Sequence, residues 1–313
     1  MNRRDFFHTL TVSSLAAGAL APQITRAAEP EVFVEHDRPG KPHAGKVLAA
    51  IQPHADDLAI FAGGTVAKLL DEGYKGYMIR TTNDDMAGRG TNAQAAVAND
   101  VDVEHYVKLM GFERGFSLNY PNHEMDGISK PELRSRLIFL FRLLKVDTII
   151  CYDPWGHYEE NPDHYVTAQC VEAACWMAAG DKDYPEQFAA GLKPRLVREK
   201  YYFARGPQLV NRAVDISSYV DKKIDSNLVN VTQGPGGIHG SELRQELAAR
   251  HMKLALLGND DNQANRAYIR EFLMKRDEEN GKRYGVAYAE LFHYIGPEPD
   301  EVGNYVKRNE KPE

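Results

Sequence analysis

A histidine and two adjacent carboxylates stand at Gln52-Pro53-His54-Ala55-Asp56-Asp57, between an apolar run and a stretch with helical spacing. His54 and Asp57 lie three residues apart across this turn, close enough to bind one ion. Asp56, between them, points another way and stays free of it. A dinucleotide-binding sheet carries G-x-G-x-x-G at this place, so a nicotinamide- or flavin-dependent oxidoreductase loses its main support. Spacing alone says little. Eleven histidines and 45 acids in 313 residues produce roughly 1.6 matches to H-x-x-[DE] by chance. The chain holds four, at His54/Asp57, His123/Asp126, His157/Glu160 and His239/Glu242. Location at the end of the first apolar run separates the first pair from the rest. Acids at a helix N-terminus also favour the macrodipole, which accounts for the carboxylates but not for the histidine ahead of them.

A second candidate follows the run Asp147–Tyr152, in Asp153-Pro154-Trp155-Gly156-His157-Tyr158-Glu159-Glu160-Asn161-Pro162-Asp163-His164. Asn161 suits a helix N-cap, Pro162 the first helical position and Asp163 the first turn. His164 then falls near the strand ends where His54 and Asp57 are expected, either as a ligand or as a local cap. Two imidazoles and one carboxylate with open positions describe a catalytic zinc site. Asp84 and Arg89 follow the second strand, placed to bind sugar hydroxyls or to remain solvated. Cys151, Cys170 and Cys175 read as buried free thiols, and Trp155 as loop packing or a sugar-stacking platform.

These residues depend on the elements that position them. Lys46–Gln52, Gly76–Thr82, Phe116–Tyr120, Asp147–Tyr152, Glu199–Ala204 and Ala213–Ser217 read as strands. Asp57–Glu72, Asn92–Met110, Pro131–Leu144, Pro162–Ala179, Ser241–Leu257 and Gln263–Glu279 read as helices. Alternation of helices with apolar strands predicts an α/β fold, a Rossmann-like and mostly parallel sheet with helices on both faces. Ligands in such sheets lie at the C-terminal ends of the strands. Gly63-Gly64 weakens the first helix by ~1 kcal/mol per glycine relative to Ala, which predicts close packing or a kink. The glycine-rich stretch 227–240 reads as a long loop. The expected organisation is an export signal over 1–28, a polar lead-in over 29–45, a catalytic domain over 46–240 and a helical C-terminal extension over 241–313.

With 43% hydrophobic and 27% charged residues the chain is not a disordered protein, and three cysteines cannot form a disulfide framework. A net charge of −7 argues against nucleic acid or anionic lipid as the main partner. No apolar run reaches the ~18 residues of a membrane span, so stable membrane insertion is not expected. Arg3-Arg4-Asp5-Phe6-Phe7, the apolar stretch from Leu10 to Ala21 and Thr25-Arg26-Ala27-Ala28 resemble a twin-arginine export signal. The expected location is periplasmic or extracellular.

Pro53-His54-Ala55-Asp56-Asp57, Gly63-Gly64 and Asn161-Pro162-Asp163-His164 together resemble the PIG-L/LmbE-like family of zinc-dependent de-N-acetylases. The resemblance extends from Lys46 to Gln233 and includes Thr81–Gly88, Asp215-Ile216 and Lys223. It implies a Zn2+ cofactor held by His54, Asp57 and His164, with Asp56 as catalytic base. It also implies hydrolytic removal of an N-acetyl group from an N-acetylglucosamine-type sugar or related amide, a small molecule or glycan. Three departures stand out. Ala55 replaces a proline, Asn161 replaces a histidine that assists the oxyanion or leaving group, and Asn230 of Asn230-Val231-Thr232-Gln233 replaces a second histidine. His157, on the same loop as Asn161, is one substitute for the missing acid, and the Asn161 amide is another. The alternative is a zinc-retaining sugar-binding protein with little turnover.

Overall fold

The computed structural model describes residues 31–297 and 301–311. Among these, eight strands form one sheet: β1 (Phe33–Glu35), β2 (Val47–Gln52), β3 (Lys75–Thr82), β4 (Arg114–Tyr120), β5 (Thr148–Tyr152), β6 (Glu199–Phe203), β7 (Arg212–Asp215) and β8 (Ala289–Ile295). Their spatial order is β1-β7-β8-β6-β5-β2-β3-β4. Every pairing is parallel except the two made by β8, which runs antiparallel to both β6 and β7. Burial explains the central strands. All of β5 and all of β2 beyond Val47 are buried, as expected of strands covered on both faces.

The helices α1 (Asp57–Phe61), α2 (Gly63–Asp71), α3 (Asn92–Met110), α4 (Lys130–Leu144) and α5 (Pro162–Met177) follow the strands they were expected to follow. The later helices are α6 (Pro185–Ala189), α7 (Val220–Leu228), α8 (His239–Ala249), α9 (Asp261–Tyr268), α10 (Lys275–Tyr284) and α11 (Glu301–Asn309). Helices α4 and α5 pack on each other, while α2 and α3 both pack on α7. The core is continuous, and Leu48, Ile51, Leu58 and Phe141 within it are fully buried. Each such side chain contributes on the order of 1.5–3 kcal/mol by leaving water.

The expected kink at Gly63-Gly64 is a break between α1 and α2. Glu290 of β8 accepts the backbone N–H groups of Gly64 and Thr65 at 2.9 and 2.7 Å, replacing acceptors lost where the helix is interrupted. A β-carbon at Gly64 would lie 2.7 Å from Ile216, so glycine is what permits this contact. Lys223 of α7 donates to Glu290 and to Asp277 of α10, both at 2.6 Å. The N-terminus of α2 is thereby tied to three later elements.

Two segments differ from expectation. The polar lead-in contains β1, whose Glu35 is buried against Lys68, Arg212 and Tyr201. The C-terminal segment is largely helical, but it also supplies β8 to the interior of the sheet, so it is not an appendage. Residues 1–28, read as the export signal, lie outside the described residues. No helix among the described residues is long and apolar enough to cross a membrane.

Candidate active site

Strand β2 ends at Gln52, whose side chain shapes the turn into α1. Gln52 Oε1 accepts the Leu58 N–H at 3.0 Å, and its Nε2 donates to Ala55 O at 3.3 Å. Asp57 Oδ2 accepts the His54 N–H at 2.9 Å, which folds both candidate ligands onto one side. The second half of the site comes from α5. Asn161 Oδ1 accepts the Asp163 N–H at 2.9 Å, a side-chain cap that starts the helix and places Asp163 and His164 beside the end of β5.

Three side chains converge there. His54 Nδ1 lies 3.0 Å from His164 Nε2 and 3.4 Å from Asp57 Oδ2, and Asp57 Oδ1 is 3.7 Å from His164 Nε2. A tetrahedral ion with bonds of 2.0–2.1 Å requires ligand atoms about 3.4 Å apart, so the spacing fits. The outer nitrogens face carboxylates. His54 Nε2 donates to Asp163 Oδ2 at 3.0 Å and to Asn122 Oδ1 at 2.9 Å, while His164 Nδ1 lies 3.2 Å from Glu159 Oε1. With the protons on these outer atoms, two lone pairs face each other, and a shared cation relieves that repulsion. Among the described residues, this is the group of three that can hold a metal ion.

The electrostatics divide the two neighbouring carboxylates. Burial pushes Asp56 up, and the charge of Asp57 adds to that, bringing it to about 7. Burial would also raise Asp57, but the His164 charge and the His54 hydrogen bond outweigh it and hold Asp57 at about 2. Tyr152 supports the ionised form, donating its hydroxyl to Asp57 Oδ1 at 2.7 Å while its ring stacks on His164 at 4.1 Å. For His54, burial alone would lower the pKa, but hydrogen bonds to Asp163 and Asp57 lift it well above the usual histidine range. The turn therefore presents one committed anion and one carboxylate poised near neutrality.

These groups open into a cavity of about 300 Å³, walled also by Phe61, Asn122, His123, Asn161, Arg205 and Gln233. Asn161 reaches it, although its carbonyl oxygen is spent on the helix cap. His157 does not line it: its side chain is exposed and its backbone N–H is held by Pro207 O at 2.9 Å. Asp84 is fully buried behind the wall, paired with Arg80 at 3.0 Å. Arg89 is exposed and paired with Glu242. Neither Asp84 nor Arg89 faces the cavity, so the loop after β3 supplies no direct contact through them.

Sequence reasoning missed several contributors. Asp163 reads as an ordinary first-turn acid but orients His54, and Glu159 precedes His164 by five residues to orient that ring. His123 belongs to an H-x-x-D match that spacing alone could not distinguish from chance. Gln233 arrives on the glycine-rich loop, donating to Asn99 Oδ1 at 2.9 Å. No local pattern distinguishes the first three, whereas Gln233 ends the Asn230-Val231-Thr232-Gln233 stretch already singled out by the resemblance.

With this geometry established, similarity to known proteins is informative. Diacetylchitobiose deacetylase of Thermococcus kodakarensis (strain ATCC BAA-918 / JCM 12380 / KOD1) is 25% identical over 194 residues, covering 61% of this chain and 71% of that protein. The fold resembles N,N'-diacetylchitobiose deacetylase from Pyrococcus horikoshii, with TM-score 0.64, 22% identity and coverage of 80% of this chain and 84% of the other. It also resembles GalB, the 4-carboxy-2-hydroxymuconate hydratase of Pseudomonas putida KT2440, with TM-score 0.56, 16% identity and coverage of 82% and 98%. One architecture thus serves different reactions, and the site must decide between them. Residues 49–175, which carry His54, Asp56, Asp57 and His164, match the PIG-L family of GlcNAc-PI de-N-acetylases: the chain carries a PIG-L family domain.

Proposed function

We propose that this protein is an exported, zinc-dependent N-deacetylase acting on an N-acetylglucosamine-type sugar or a related amide. The observation that carries the reading is the His54–Asp57–His164 face with Asp56 beside it on the wall of the same cavity. The similarity to a diacetylchitobiose deacetylase supports the substrate class. A cavity of about 300 Å³ is at the small end of ligand pockets (~300–1,000 Å³), which suits one N-acetylated sugar residue at the reacting end.

His54, Asp57 and His164 would hold the ion, which when bound supplies Lewis-acid polarisation of the acyl carbonyl and a more acidic water. Asp56 accepts the proton of the attacking water as its oxygen bonds to the carbonyl carbon. Protonated Asp56 then gives that proton to the amide nitrogen as the C–N bond breaks, releasing acetate and the free amine. Asp163 and Glu159 keep the ligating rings in their orientation and tautomer throughout.

The deciding experiment measures acetate release from a chitooligosaccharide panel, with and without chelator, by wild type and Asp56→Asn. Release that stops with chelator and falls ~10²–10⁴-fold in the variant, with metal retained, supports the reading. Binding of the same sugars without turnover would instead favour a zinc-retaining sugar-binding protein, the reading prompted by Asn161 at the position where a histidine is usual.

A further inference from the structure

We propose that His123 is the oxyanion donor of this site, its imidazole N–H meeting the carbonyl oxygen of the acyl group as negative charge develops there. The inference rests on the deacetylase reading and adds a residue to it. His123 lies on the turn after β4, lines the cavity, and carries its ring edge-on to that of His54 with centroids 6.4 Å apart. Among the described residues, its ring nitrogens have no hydrogen-bond partner.

The turn is built to hold the His123 backbone in place. Asp163 Oδ2 accepts the His123 N–H at 2.7 Å, and Asp163 Oδ1 accepts the Met125 N–H at 3.3 Å. Asn122 is fixed from both ends, with its N–H on Asp85 Oδ1 at 3.1 Å and its Oδ1 on His54 Nε2 at 2.9 Å. One carboxylate, Asp163, therefore locates both His123 and the ligand His54. His123 itself has φ +62°, a left-handed conformation that costs a residue with a side chain and persists where its surroundings impose it, often at functional sites.

Two other donors around the cavity already serve protein acceptors, and the Asn161 amide is the competing candidate. Arg205 donates to Glu159 at 2.7 and 3.1 Å, and the Gln233 amide donates to Asn99. The Asn161 side chain is oriented by its cap to Asp163 N–H. A neutral imidazole carries one N–H, so the role requires no change of protonation at His123. A donor aimed at the developing oxyanion stabilises the transition state more than the substrate and acts mainly on kcat.

The test compares wild type with His123→Ala, His123→Gln and Asn161→Ser, which keeps a cap oxygen but removes the amide donor. N,N'-diacetylchitobiose serves as substrate, and a methylphosphonamidate of glucosamine as tetrahedral analogue, with metal content measured in parallel. His123→Ala is expected to lose about 10²-fold in kcat and about as much affinity for the analogue, with KM and metal content unchanged. His123→Gln should recover about tenfold of each. An active wild type whose His123→Ala variant stays within about threefold in kcat and analogue affinity overturns the assignment and leaves the deacetylase reading intact. The same holds if the loss appears in Asn161→Ser instead. A metal-loaded wild type that neither releases acetate nor binds the analogue overturns both.

Discussion

Gly234 lies directly against the carboxylate of Asp56: a β-carbon at Gly234 would fall 2.5 Å from Asp56 Oδ2 and 3.0 Å from its Cβ. The contact joins the loop after α7 to the turn after β2, 178 residues earlier in the chain. It encloses the carboxylate, in keeping with the burial that raises its pKa.

Gly234→Ala should therefore impair catalysis without emptying the metal site. Alanine must displace Asp56 or the loop, and φ +86° disfavours any side chain by roughly 1–2 kcal/mol. The expected result is a lower kcat with metal content unchanged, measured by acetate release and elemental analysis. Wild-type turnover in this variant would show that the enclosure of Asp56 is unimportant.

Metal binding should depend on Asp163 although it is not a ligand. His54→Ala and His164→Ala should abolish stoichiometric metal. Asp163→Ala should weaken affinity about 10–100-fold, the usual effect of losing the partner that orients a ligating histidine, and Asp163→Asn should weaken it less. Competition against a chelating dye measures all four. Equal affinity for wild type and Asp163→Ala would remove the orienting role.

Stability should respond to acid through Glu35. Burial would raise its pKa, but the Lys68 and Arg212 charges more than offset this and hold it below the usual 4.5. Its unfolded pKa is thus the higher one, so its contribution is complete above about pH 4.5 and is lost as pH falls through the lower folded value. Urea denaturation from pH 6 downward should show wild type losing this contribution, while Glu35→Gln begins less stable and declines more shallowly. Parallel curves would contradict the assignment.

Export should depend on the arginine pair. Replacing Arg3 and Arg4 together with Lys should retain the protein in the cytoplasm, read by fractionation and by the N-terminus of the recovered chain. Unchanged export would end the twin-arginine proposal.

Local chemistry made much of this protein legible. Apolar runs such as Asp147–Tyr152 and the capped start at Asn161-Pro162 define a strand and a helix through interactions within a few residues, and the observed elements agree closely. His54, Asp56 and Asp57 could be singled out because one turn holds them together. What tertiary structure decided is everything joined across long separations. β8 was missed because its partners are β6 and β7, more than seventy residues earlier, so no local pattern marks it as a strand within the sheet. His157 and His123 look alike in sequence, each in an H-x-x-acid match. Only the hydrogen bonds from the turn after β4 to Asp163, 40 residues onward, bring His123 to the cavity, while Pro207 holds the backbone of His157 outside it. Residue type and spacing fixed which groups can do chemistry, but chain crossings between distant strands determined which of them meet.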